Sequence, residues 1–169
     1  MSNKQNTPSL KVNMIMNVIL TVSSMLFPII TFPYVSRVVG AEGIGKVTFV
    51  TSIVTYFSMF AQLGIPTYGI RICAKVRDNK EELSRVVHEI LIINVITCLI
   101  SYIALGIALV SVPRFANEKL LFLVIGTTIL LNALGMEWLY KGLEQYSYIT
   151  IRSLIFKVIA IVGLFLLVH

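Results

Sequence analysis

Charge is scarce in this chain. Only 13% of its 169 residues are charged, against about 25% in an ordinary soluble domain. A soluble fold needs charge to cover its surface, so that class is excluded first. Reactive groups are scarce too. Cys73 and Cys98 are too few and too far apart for a metal cluster or a disulfide framework. There are two histidines, His88 and His169, and the carboxylates Glu89, Glu118, Glu137 and Glu144 are scattered. No D-x-D or H-x-x-x-x-D pair occurs. A membrane glycosyl- or acyltransferase needs positioned acid, base or metal-binding groups, and this pattern argues against one.

Long apolar runs are what the sequence does have. Residues 13–36, 47–70, 90–113 and 120–136 contain no Asp, Glu, Lys or Arg. Crossing the hydrocarbon core takes about 20 apolar residues in a helix. The fold class is therefore all-α: a polytopic transmembrane bundle of about five spans, at 13–36, 47–69, 88–111, 119–140 and 149–168. A short segment, 1–12, precedes the membrane domain 13–169. The first run lacks a small-residue cleavage site and is too long for a signal-peptide core, so it is expected to stay as span one.

The net charge of +6 raises nucleic acid as a partner, but in a membrane chain it points to basic cytoplasmic loops. Lys4, Lys11, Arg71, Lys75, Arg77, Lys80, Arg85, Lys141 and Arg152 fall on one side of the five spans. Arg37, Lys46, Arg114 and Lys119 fall on the other. The positive-inside rule then puts the N-terminus and the 71–85 loop in the cytoplasm of a multi-pass cell-membrane protein. That loop, "RICAKVRDNKEELSR", is read as a topology signal, the alternative being a patch that attracts anionic headgroups.

One motif argues for a different function. "GAEGIGKV", Gly40 to Val47, approaches the phosphate-binding pattern G-x-x-x-x-G-K-[ST]. Val47 stands where magnesium needs a hydroxyl, and the preceding "IITFPYVSRV" belongs to an apolar span rather than a strand. Nucleotide binding is not expected. Gly40, Gly43 and Gly45 are read instead as permitting a tight helix-to-helix reversal.

Polar groups inside the spans are the functional candidates. Lys157 lies near the midplane of span five, where a charge costs about 2.5–3.5 kcal/mol. It is expected to face a protein interior or a wet cavity, the alternative being snorkelling to the cytoplasmic surface. Arg152 lies five residues earlier, about 140° away around the helix. Glu137 and Lys141 have the spacing of an intrahelical pair at the end of span four, beside Trp138 and Tyr140. Glu137 is either part of an interfacial belt or a carrier of a coupling proton or cation. His88 and Glu89 open span three. Asn17, Gln62, Asn94 and Asn132 are expected to make interhelical hydrogen bonds. Pro28 and Pro33 are read as a fixed kink, or else as a hinge. Gly64, Pro66 and Gly69 are read as punctuation ending span two.

Three stretches together carry a resemblance: "FPYVSRVVGAEGIGKVTF", "LGIPTYGIRICAKVRDNKEELSR" and "MEWLYKGLEQYSYITIRSLIFKVI". In this order and spacing the chain resembles the N-terminal part of bacterial oligosaccharide flippases. These are the capsule and O-antigen repeat-unit transporters of the multidrug/oligosaccharidyl-lipid/polysaccharide exporter superfamily. The resemblance covers about residues 13–168. It implies two six-helix lobes around a central cavity with alternating access. It implies a cargo of sugars on undecaprenyl pyrophosphate, no nucleotide, no cofactor, a cation gradient as driver and a polysaccharide polymerase as partner. By matching position, Arg37 would be the arginine of the family's S-R-x-x-G segment. Arg152 and Lys157 would be cavity cations that attract the anionic lipid-linked sugar.

Such flippases have 12 to 14 spans, so the chain is expected to be an incomplete N-terminal lobe, a truncated copy. A cation-coupled drug exporter of the same superfamily, a membrane enzyme and a non-transporting membrane remnant are the competing readings.

Overall fold

The computed structural model describes residues 10–167. Most of the expected segment 1–12, with Lys4, lies outside the described residues, as does His169. The described residues form seven helices: α1 Leu10–Gln62, α2 Ile65–Val76, α3 Lys80–Ser111, α4 Pro113–Ala116, α5 Lys119–Leu134, α6 Glu137–Gly142 and α7 Tyr146–Leu167. Four stretches are long and apolar enough to cross a membrane: Lys11–Val76, Lys80–Ser111, Lys119–Gly142 and Tyr146–Leu166. The all-α, polytopic reading holds. The first stretch has 66 residues, about 100 Å at 1.5 Å per residue, against a core of about 30 Å. It is broken at Gly40, whose φ of 72° and ψ of 173° are non-helical.

Several boundaries differ from expectation for local backbone reasons. The break in α1 is the single residue Gly40, while Gly43 and Gly45 lie in continuous helix. The glycine-rich stretch therefore offers no loop of exposed N–H groups. The second half of α1 ends at Gln62, because Leu63 and Gly64 take positive φ values of 39° and 76°. α2 restarts at once with Pro66 in its first turn, where a missing N–H costs nothing.

The expected 71–85 loop is mostly helical. Asn79 caps α3, its Oδ1 accepting from the N–H groups of Glu81 (3.2 Å) and Glu82 (3.3 Å). Both carboxylates favour a helix N-terminus. α3 thus begins at Lys80 rather than 88, and His88 and Glu89 sit inside it. Helix α5 stops at Leu134, and Met136 (φ 45°) separates it from the short α6 within the apolar stretch Lys119–Gly142.

The chain divides into two compact units, residues 42–142 and residues 1–41 with 143–169. In the first, the second half of α1 runs antiparallel to α3. Thr97 Oγ1 donates to Ala61 O and Ser101 Oγ to Phe57 O, both at 2.6 Å. α3 also runs antiparallel to α5, with Asn94 Nδ2 donating to Ala133 O (3.2 Å) and Tyr102 Oη to Gly126 O (2.7 Å). Val50, Val54, Cys98, Leu105, Phe122 and Ile129 form the apolar core between them.

The outward face of α3 is more apolar than its buried face. Ile92, Ile96, Leu99, Ile103 and Ile107 are exposed, while Asn94, Cys98 and Ser101 are buried. This inversion is what a hydrocarbon solvent demands. Of the four polar residues expected to bond between helices, Asn94 does so. Gln62 instead bonds Ser58 one turn back on its own helix, and Asn17 and Asn132 are exposed.

At one end of this unit α2 packs on α6 through two glycines. A Cβ on Gly69 would lie 2.5 Å from Trp138 Cε3, and one on Gly142 would lie 2.8 Å from Cys73 Cβ. In the second unit, the first half of α1 and α7 run parallel. Thr150 Oγ1 donates to Met16 O (3.0 Å), and the Tyr34 and Phe165 rings lie 4.6 Å apart.

Gly69→Ala is expected to destabilise the α2–α6 packing by about 1–3 kcal/mol, the usual cost of overpacking. Thermal unfolding in detergent, followed by the fluorescence of Trp138, the chain's single tryptophan, checks this.

Candidate functional site

Lys157 lies at the middle of the 22-residue helix α7, roughly 17 Å from its start. Its Nζ donates to Ser23 Oγ (2.9 Å) and Ser24 Oγ (2.8 Å) on the first half of α1. The serines are suited to this because their own protons are committed elsewhere. Ser23 Oγ and Ser24 Oγ donate to Leu20 O at 2.9 and 2.7 Å, which leaves their lone pairs for the lysine.

Two of the three ammonium donors are thereby used, both on neutral partners. Among the described residues no carboxylate pairs with Lys157. The charge is held in place without being neutralised. The side chain is half-buried, and its head group stays at the level of the serines rather than reaching toward a helix end.

Beside Lys157 the first half of α1 is polar from Asn17 to Ser24. Asn17, Thr21 and Ser24 recur at intervals of four and three residues, so they share one side of the helix, and all three are exposed. Thr21 Oγ1 donates to Asn17 O at 2.9 Å. Thr150 lies seven residues before Lys157 on the same face of α7, and its bond to Met16 sets the register that delivers Lys157 to the serines.

The other sequence candidates are not gathered here. Arg152 lies on a different face of α7, beside Tyr148 with its guanidinium carbon 6.0 Å from the ring centroid, and it shares a shallow groove with Ile151, Ile155 and Phe156. Arg37 is exposed near the end of the first half of α1, about 20 Å along the helix from Ser23. Glu137 belongs to the other unit, where Lys141 Nζ lies 3.3 Å from its Oε2. The expected intrahelical pair therefore forms, on the short α6 that closes the apolar stretch Lys119–Gly142. Ser23 and Ser24 were not singled out from sequence; the available signal was a Ser-Ser pair at the midpoint of an uncharged run.

Apolar helices that carry polar groups on their buried faces and a lone ammonium at mid-helix define a multi-pass membrane protein. The model of the polysaccharide biosynthesis protein family matches residues 10–169, and the chain belongs to that family. One relative, from Escherichia coli (strain K12), is provisionally named an O-antigen transporter. It is 24% identical over 164 residues, which are 97% of this chain and 40% of that protein. A relative of the same name from Shigella dysenteriae is 26% identical over 161 residues, 94% of this chain and 40% of that protein. The chain thus spans about 40% of the length of the curated relatives it matches. No solved structure matches it.

Replacing Ser23 and Ser24 together by Ala is expected to leave the ammonium without its acceptors and to cost about 1–3 kcal/mol. Denaturant unfolding in mixed micelles, with Lys157→Met as the partner variant of a double-mutant cycle, measures the coupling.

Proposed function

We propose that the chain forms part of a flippase that moves lipid-linked oligosaccharide repeat units across the cytoplasmic membrane, with Lys157 as the anion-holding residue. The carrying observation is the uncompensated ammonium at the middle of α7, bound only by neutral hydroxyls. A cation in that state has electrostatic capacity to spare. A pyrophosphate entering the bilayer must exchange its water for fixed positive charge and hydrogen-bond donors, and Lys157 offers both. Family membership and the names of the two relatives support a polysaccharide cargo.

Undecaprenyl pyrophosphate is the proposed carrier, and the cytoplasmic leaflet the starting side. Arg152 and Arg37 are proposed to act at other depths, Arg152 before Lys157 along α7 and Arg37 near Gly40. Glu137 is the proposed coupling carboxylate, and releasing its proton or cation would require breaking its pair with Lys141.

The proposed topology has five crossings with the N-terminus in the cytoplasm. Parity supports the count. Segments 10–39 and α7 run parallel, so an odd number of crossings must separate them, and the second half of α1, α3 and α5 supply three alternating ones.

One complementation assay tests this reading. In a strain lacking its repeat-unit flippase, a complete reading frame containing this region is expected to restore surface polysaccharide. Lys157→Ala should reduce that rescue at least tenfold, Arg152→Ala should weaken it, and Lys157→Arg should retain most of it. Equal rescue by Lys157→Ala and the unmodified frame would remove Lys157 from the site.

A further inference from the structure

The outward face of the second half of α1 has the wrong chemistry for lipid. Thr48, Thr51, Ser52, Thr55 and Tyr56 are all exposed and, with Val47, line a shallow groove of about 430 Å³. Their three- and four-residue spacing puts them on one side of the helix. Val50 and Val54 lie fully buried on the other side.

The hydrogen bonds to α3 fix the depth of this face. Ser101 bonds Phe57 O and Thr97 bonds Ala61 O. The same antiparallel register sets Thr55 level with Ile103 and Thr51 level with Ile107. Ile103 and Ile107 are 63% and 62% exposed. At matching depths α3 therefore presents hydrocarbon outward and α1 presents hydroxyls. One solvent does not suit both faces. If lipid covers α3, something able to hydrogen-bond covers residues 48–56, because the Thr48 and Thr51 hydroxyls have no partner among the described residues and a hydroxyl left unpaired in hydrocarbon is costly.

The donor and acceptor count describes what that is. Ser52 Oγ donates to Thr48 O (2.8 Å) and Thr55 Oγ1 to Thr51 O (2.7 Å). Their oxygen lone pairs are left pointing outward as acceptors. The Thr48 and Thr51 hydroxyls make no side-chain hydrogen bond among the described residues. Residues 47–70 carry no charge, so the face selects for neither sign. Tyr56 adds an exposed aromatic ring at one end of the groove.

Uncharged acceptors and donors beside an aromatic surface match a molecule with many O–H groups and apolar C–H faces. We propose that this face is a sugar-binding wall that holds the neutral glycan part of the cargo. The proposal rests on the flippase reading and assigns the glycan its own residues.

The test uses the full chain in lipid vesicles with single cysteines at Thr48→Cys, Thr51→Cys and Thr55→Cys, and with Ile103→Cys and Ile107→Cys as lipid-facing controls. Native Cys73 and Cys98 are buried and stay in place. Labelling by a membrane-impermeant maleimide is followed alone, with millimolar maltoheptaose, and with inorganic pyrophosphate. The α1 positions should label at least tenfold faster than the controls. Maltoheptaose should slow them at least threefold, and pyrophosphate should not.

Sealed α1 positions would overturn the proposal, since protein or lipid would then cover the face. Fast labelling that maltoheptaose leaves unchanged would overturn it too, since the face would be wetted without binding sugar. The shape-conserving pair Thr51→Val and Thr55→Val, read against Thr48→Cys, should abolish protection at position 48 while Trp138 fluorescence reports an intact fold; full protection there would also overturn it. Pyrophosphate binding unaffected by Lys157→Ala would refute the Lys157 assignment and leave the sugar result standing.

Discussion

The constraint on which the rest depends is that hydrocarbon offers no hydrogen-bond partner. A polar side chain inside the bilayer must find its partner in the protein or in enclosed water. α3 meets this by turning Asn94, Thr97, Ser101 and Tyr102 toward the backbone carbonyls of its neighbours. A helix carbonyl already accepts one bond within its own helix and keeps a second lone pair. These side chains use that lone pair, and so join helices without breaking any. Each bond is modest, about 0.6 kcal/mol on average in membrane proteins. Together they set the register of the second half of α1, α3 and α5.

Lys157 obeys the same constraint at higher cost. The serines that receive it have already spent their protons on Leu20, so they can act only as acceptors. That arrangement suits an ammonium and leaves its charge available. A carboxylate in their place would have neutralised the lysine. Within the two helices, the exposed polar line Asn17, Thr21 and Ser24 continues the same surface.

The breaks between helices were only partly legible. Gly40 and Gly64 take left-handed backbone, as glycine does at little cost. Leu63, Met136 and Glu144 also have positive φ, which costs an ordinary residue roughly 1–2 kcal/mol. Nothing in their side chains announces it. For that reason helices α1 and α5 end inside their apolar runs. The 71–85 stretch was misread as loop because its charges dominate its composition, whereas Asn79, Glu81 and Glu82 form an N-cap whose signal is local and short. The pairing of Gly69 with Trp138 could not be seen either, since it depends on α2 and α6 meeting across an interval of more than sixty residues.

The amino-acid sequence alone determined the solvent: runs of uncharged residues long enough to cross a bilayer, and one lysine in the middle of the last. That follows because the cost of placing charge in hydrocarbon is large and depends on composition, not on neighbours. Only the tertiary structure decided what the lysine touches, and which faces are polar outward and which apolar. Those outcomes depend on the register between helices far apart in the chain. A shift of one residue turns a side chain by about 100°, and no local pattern encodes that choice.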